Sequence, residues 1–232
     1  DLGKIDLAIE DGSFASNPAL VAFIAKLKST GGTAHLIGLA SYGGVHAHIN
    51  HLIAAANVIA AAGVPVNIHA LTDGRDVPPG SAANDLATLA AASPSNASIA
   101  TVIGRFYALD RDNRWGRVKL AYDAIVHAKG HAAANPAQAI TDATARGESD
   151  EFISPTVIGT YQGTKDGDGI LCLNFRADRA RELMAALGDK TFDAFEISKR
   201  AELAAMAGMA SYSDQHNAYM DVLFPKANII NT

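Results

Sequence analysis

AHLIGLASYGGVH, residues 34–46, joins a mainly apolar run to a polar turn carrying two glycines. The run is strand-length rather than helix-length, and Gly31-Gly32 before it and Gly43-Gly44 after it punctuate both ends. It predicts a buried strand over 34–39 that delivers a polar turn. The same grammar returns in VPVNIHAL followed by TDGRDVPPGS, in SIATVIG followed by RFYALDRD, and in GILCLN followed by FRADR.

Helical patterns fill the intervals. Asn17-Pro18 supplies a cap and a proline at the first helical position, ahead of the stripe Leu20, Phe23, Ile24 and Leu27. Residues 46–62 place Ile49, Leu52, Ile53, Ala56 and Ile59 at helical spacing, and Gly63 stops them. Leu86 and Leu89 mark another helix, and Trp115, Val118, Leu120, Ala121 and Ile125 mark one over 114–128. The alanine-rich stretch 131–147 is expected to be helical in part, and ADRARELMAAL, 177–187, helical throughout. Strands alternating with helices predict an α/β fold, a three-layer αβα domain with a mostly parallel central sheet spanning 1–232. No repeat, low-complexity tract or linker divides the chain.

The 232 residues, 49% apolar and 19% charged, suffice for a sizeable core in a soluble protein. A formal net charge of -5 argues against a broad nucleic-acid surface, so an anion site must be local. Cys172 is the only cysteine, which excludes an internal disulfide; it reads as a small buried hydrophobe in a strand and suits a reducing cytoplasm. No stretch of about 18 apolar residues suggests a membrane span. The start, DLGKIDLAIEDGS, has neither a signal-peptide pattern nor an initiator Met, so the chain is expected to begin inside a longer gene product. It is expected to be monomeric.

In open α/β sheets ligands gather beyond the carboxyl ends of the strands, where these polar turns fall. Gly43-Gly44 precedes a helix and reads either as an anion-approaching backbone or as a plain tight turn. TDGRD sets Arg75 and Asp76 on a turn stiffened by Pro78-Pro79, readable as a salt bridge or as a proton-exchanging pair. Arg105 and Arg111 flank FYALD; arginine's planar fork suits carboxylate and phosphate, and the interleaved Asp110 and Asp112 are expected to hold those guanidinium planes. Arg176 and Arg179, three apart near a helix opening, can face one ligand, with Asn174 and Asp178 orienting them, whereas Arg181 points elsewhere. Guanidinium groups after successive strands exceed what a solvated surface needs. A competing reading gathers His46, His48, His51, His69, Asp73 and Asp76 around a transition metal, although their spacing matches no strong zinc pattern. His35, His127, His131 and His216 carry no signal.

With these residues on the page, the chain resembles cofactor-independent phosphoglycerate mutase, specifically its phosphotransferase domain. The resemblance rests on IEDGSFASNPAL, GLASYGGVHAHINHL, HALTDGRDVPPGS, IGRFYALDRDNRWGRVKLAYDAIV, DEFISPTVI, LNFRADRAREL and the tail MAGMASYSDQHNAYMDVLFPKANIINT, in order along nearly the whole chain. It implies an isomerase interconverting 3-phosphoglycerate and 2-phosphoglycerate. It further implies a flanking alkaline-phosphatase-like domain with a phosphoryl-accepting serine and two manganese ions, into which this chain is inserted. By motif it implies substrate contacts from His46, Arg75, Asp76, Arg105, Arg111, Arg176 and Arg179, with Asp76 a catalytic acid/base. No metal or other cofactor is implied within this chain, which lacks the serine and is expected to be inactive alone. Tyr42 and Ala47 depart from the commonest family form, SDGGVHSH, and FYAL departs mildly from YYAM. A stand-alone binding module for small phosphorylated acids is the alternative; a histidine-centred metal hydrolase is a third.

Overall fold

The structure, a computed structural model, describes residues 2–226. In chain order its elements are α1 (Leu2–Glu10), α2 (Pro18–Thr30), β1 (Ala34–Leu39), α3 (Ile49–Ala61), β2 (Val66–Thr72), α4 (Ala82–Ala92), β3 (Ala97–Gly104) and α5 (Arg105–Ala108). There follow α6 (Trp115–His127), β4 (His131–Ala133), α7 (Pro136–Ala145), β5 (Thr156–Ile158), β6 (Gly169–Cys172), α8 (Arg181–Gly188), β7 (Ala205–Gly208), α9 (Asp214–Asn217) and β8 (Asp221–Val222).

The strands form one eight-stranded sheet in the order β4-β5-β3-β2-β1-β6-β7-β8. β5 pairs antiparallel with β3 and parallel with β4, so these two short strands run against the rest. All the other pairings are parallel.

Side-chain alternation sorts the core into two layers. Leu36, Ile68 and Val102 face Leu27 of α2, Leu52 and Ile59 of α3, and Leu89 of α4. Ile37, Leu39, Leu71 and Ile103 face Val118 and Ile125 of α6 and Leu183 and Leu187 of α8. Helices on both faces of a mostly parallel sheet make the three-layer αβα architecture that the alternating pattern predicts. Cys172 is buried in β6, as its apolar setting predicts. Among the described residues no helix is long and apolar enough to cross a membrane.

Local chemistry explains several boundaries. Asn17 caps α2, its side chain accepting from the N–H groups of Ala19 and Leu20, and Gly31 ends it in a left-handed conformation. Two expectations need correction, and a third holds. The helix predicted from 46 starts at Ile49, because the His48 side chain caps it by accepting from the Asn50 N–H. The stretch 131–147 is helical in part, as expected: it opens with β4, where pairing with β5 overrides alanine's helix propensity, before α7 begins behind the Asn135 cap. The helix predicted from 177 begins at Arg181, which leaves Arg176 and Arg179 on a loop.

Candidate functional site

β3, β2, β1 and β6 are consecutive neighbours and parallel, so the turns that follow them open along one edge of the sheet. Backbone and side-chain bonds tie these turns together. Asn174, just past β6, accepts from the Leu39 N–H at the end of β1, and the Phe175 N–H donates to the His46 carbonyl. The Tyr212 hydroxyl donates to the Asn174 carbonyl at 2.6 Å, anchoring the β6 turn from below.

The innermost charge is Arg105, 3% exposed at the start of α5. Its Nη1 donates to Asp73 Oδ1 and Asp76 Oδ2, each at 2.9 Å. Asp73 also accepts from the Ser41 hydroxyl at 2.5 Å and from the backbone N–H groups of Arg75 and Asp76. Burial alone would raise the Asp73 pKa, but these hydrogen bonds outweigh it and hold the carboxyl below its ordinary range. The backbone must pass close here. A Cβ on Gly43 would lie 2.9 Å from Asp76 Cβ, so the absent side chain makes room for the aspartate. Gly74, at φ +86°, turns the chain between Asp73 and Arg75.

A second carboxylate organises the outer arginines. Asp178 Oδ2 accepts from Arg111 Nη1 at 2.9 Å, and its Oδ1 lies 3.1 Å from Arg176 Nε and 3.8 Å from His46 Nδ1. Burial would raise the Asp178 pKa, but Arg111, Arg176 and His46 together depress it. His46, 3% exposed, has its pKa lowered first by burial and then by Arg105, so the imidazole is neutral at pH 7. Arg179 donates to the Leu109 carbonyl at 3.0 Å. Its pKa is lowered by burial and by the nearby charges of Arg111, Arg105 and Arg75, and at neutral pH it remains a cation. Arg75 is the most open of the set, with Glu151 at 3.8 Å.

All the residues expected at the site, His46, Arg75, Asp76, Arg105, Arg111, Arg176 and Arg179, are therefore linked by contact or by close charge coupling. Arg75, Arg105 and Arg179 line a cavity of about 80 Å³. A larger hollow of about 1040 Å³ lies beside residues 187–206 and shares none of these groups; the charge cluster, rather than size, marks the site. Arg181 does point elsewhere, to the Tyr212 carbonyl.

Two partner assignments read from the sequence are corrected. Asp110 and Asp112 hold Arg114 rather than Arg105 and Arg111. Sequence reasoning also undervalued Ser41 and Asp73; the Asp-Gly of TDGRD signals a turn in which the aspartate accepts backbone N–H groups. The histidine cluster disperses. His51 bonds Asp6, His69 bonds His35 and Thr101, and His48 caps α3. Asp73 and Asp76 are committed to Arg105. Among the described residues no group of three or more His, Cys, Asp or Glu is placed to hold a metal ion. Tyr42 is exposed, with its ring edge-on to His48 at 5.4 Å, and Ala47 is fully buried.

Residues 5–214 match the family described as BPG-independent PGAM N-terminus. The chain belongs to that family. Relatives named 2,3-bisphosphoglycerate-independent phosphoglycerate mutase include those of Dinoroseobacter shibae, 60% identical over all 232 residues, and Paracoccus denitrificans, 59% identical over the same span. The chain covers 46% of the length of each, so this BPG-independent PGAM N-terminal chain spans about half of the relatives it matches. A crystal structure of Leishmania mexicana phosphoglycerate mutase, described as at low cobalt concentration, superposes with a TM-score of 0.90 at 29% identity. That match covers 99% of this chain and 45% of the Leishmania chain.

Proposed function

We propose that this chain is the substrate-holding half of a phosphoglycerate mutase that interconverts 3-phosphoglycerate and 2-phosphoglycerate. The observation that carries the reading is the convergence of five guanidinium groups, from Arg75, Arg105, Arg111, Arg176 and Arg179, on one sheet edge. Such a cluster fits a small acid bearing both a carboxylate and a phosphate.

In this reading Arg75, Arg111, Arg176 and Arg179 grip the anionic ends. Arg105 is already engaged by Asp73 and Asp76 and keeps the Asp76 carboxylate in place. Asp76 is the acid/base for the oxygen that carries or receives the phosphoryl group, giving a proton to the departing alkoxide and taking one from the attacking hydroxyl. Holding glycerate between the two transfers keeps the second one effectively intramolecular. The phosphoryl-accepting serine and its manganese ions belong to the flanking phosphatase-like part of the longer protein.

Calorimetric titration with 3-phosphoglycerate tests this directly. The expected result is binding by the chain that weakens by roughly tenfold or more in Arg176→Ala and Arg179→Ala, the loss of a charge-assisted hydrogen bond. Unchanged affinity in both variants, or no binding by the parent, overturns the assignment.

A further inference from the structure

A chain of buried polar side chains crosses β6, β1, β2 and β3, the strands whose far ends carry the charge cluster, at the opposite side of the sheet. Asp168, directly ahead of β6, accepts from His35 Nε2 of β1 at 2.8 Å. His35 Nδ1 lies 2.9 Å from His69 Nε2 of β2, and His69 Nδ1 lies 2.8 Å from the Thr101 hydroxyl of β3. Both histidines and Thr101 are 0% exposed. A bulge in β3 makes the last link: Ile68 pairs with Ile99 but His69 pairs with Thr101, so Ala100 is passed over and the hydroxyl comes beside the imidazole. The proposed transfer chemistry makes no use of these groups.

Three contacts in series need one hydrogen each. Asp168 supplies none. Burial would raise its pKa, but bonds from His35 and from the N–H groups of Thr33 and Lys165 depress it and keep it an ionised acceptor. His35 therefore donates from Nε2 and, when neutral, accepts at Nδ1. His69 in turn donates from Nε2 and accepts from the Thr101 hydroxyl at Nδ1. The contacts are then full. A further proton on either imidazole forces Thr101 to accept instead of donate. Its own hydrogen, with no other partner among the described residues, is left unpaired in the core. Burial, then His35, holds the His69 pKa well below its ordinary value, in line with that count.

The surroundings connect one end of the chain to solvent. Asp168, Tyr161 and the exposed Lys165 line a cavity of about 480 Å³ at the strand starts, with Thr33, Asn67 and Ser98. Tyr161 stands edge-on to both rings, 6.0 Å from His35 and 5.3 Å from His69, and its hydroxyl donates to the Ile125 carbonyl of α6. Thr101, at the other end, is sealed in the core.

We propose that Asp168, His35, His69 and Thr101 form an acid-sensitive clasp, which locks the register of four neighbouring strands while both imidazoles are neutral and is released by protonation. The clasp goes beyond the substrate reading and stands whether or not the chain binds phosphoglycerate. An unfolded histidine takes up a proton below about pH 6.5, whereas one held neutral in the fold does not. Stability is therefore lost as pH falls below that value, by up to roughly tenfold in the folding equilibrium constant per pH unit for each such histidine.

His69→Gln is the diagnostic variant. Its amide donates from nitrogen and accepts at oxygen, the polarity of the neutral imidazole, but takes up no proton. Urea unfolding of both proteins is followed between about pH 5 and 7.5. Below about pH 6.5 the parent is expected to lose stability relative to the variant, by up to roughly tenfold in the equilibrium constant per pH unit. Parallel profiles overturn the clasp. Nitrogen-15 NMR of the parent's imidazoles gives a second reading, decisive even if His69→Gln fails to fold. At about pH 7.5 both His35 and His69 should carry hydrogen on Nε2 alone. A hydrogen on Nδ1 of either ring overturns the clasp.

Discussion

Arg105 Nη1 lies 2.9 Å from Asp73 Oδ1, and both side chains are at most 3% exposed. Removing one partner of a buried ion pair leaves the other charge without compensation. Arg105→Met is therefore expected to destabilise the fold by about 3 kcal/mol or more. Urea denaturation would show it as a lower midpoint with an unchanged slope. A loss below about 0.5 kcal/mol, the range of ordinary surface changes, would refute the structural weight given to this pair.

Arg75 is the counter-case. Its side chain is 56% exposed and its only ion-pair contact among the described residues, Glu151, is 3.8 Å away. Arg75→Ala should leave stability within about 0.5 kcal/mol of the parent. On the proposed function it should still weaken 3-phosphoglycerate binding by roughly tenfold. Chemical denaturation and calorimetry on one preparation separate the two effects; a variant that loses stability but no affinity contradicts the role in gripping substrate.

Gly43 is constrained by space. An added methyl would meet Asp76 Cβ at 2.9 Å, whereas at Gly63 it would meet nothing within 4 Å. Gly43→Ala must push Asp76 away from Arg105 or shift the loop, at a cost of about 1–3 kcal/mol. The expected readout is a lowered unfolding midpoint together with weakened 3-phosphoglycerate binding. Retention of both at parental values would show that the loop yields freely.

The arginine-bearing turn rests on a carboxyl pair with its own pH signature. Asp110, 3% exposed, accepts from the N–H groups of Asp112 and Arg114, which keeps it ionised. Glu182, 8% exposed on the first turn of α8, lies beside Asp110 and accepts from the Asn113 N–H. Burial, then that contact with Asp110, pushes the Glu182 pKa up to about 7. A carboxyl whose folded pKa is raised contributes fully below its unfolded pKa of about 4.3 and loses that contribution as pH rises through the folded value. The unfolding midpoint of the parent should thus fall relative to Glu182→Gln between about pH 5 and 8, because the amide does not ionise. Parallel pH profiles for the two proteins would refute the raised pKa of Glu182.

The four strands that build the site were readable because each is an apolar run closed by a charged or glycine-bearing turn. β4, β5, β7 and β8 were not, being two to four residues long and dependent on neighbours supplied from elsewhere in the chain. α1 buries only Ile5, which leaves almost no periodic signal. The arginines of the site stood out by residue type, but their partners did not. Arg111 pairs with Asp178, 67 positions away, in preference to the acids beside it in sequence. His35, silent in the sequence, lies fully buried between Asp168 and His69, and His69 passes the chain on to Thr101. Such pairings are fixed by which strands are neighbours, and no local window contains that information.

The order of the sheet also bears on how the protein comes into being. β6 docks beside β1, yet it is made only after β2 to β5 have been synthesised. A chain emerging from the ribosome therefore displays Arg75, Arg105 and Arg111 before Asp178, Arg176 and Arg179 exist to complete their surroundings. During that interval Arg111 stands without Asp178, the carboxylate it pairs with in the finished edge. Closure of the β6 turn is the event that adds the last two of the five guanidinium groups together with the carboxylate that pairs with Arg111 and Arg176.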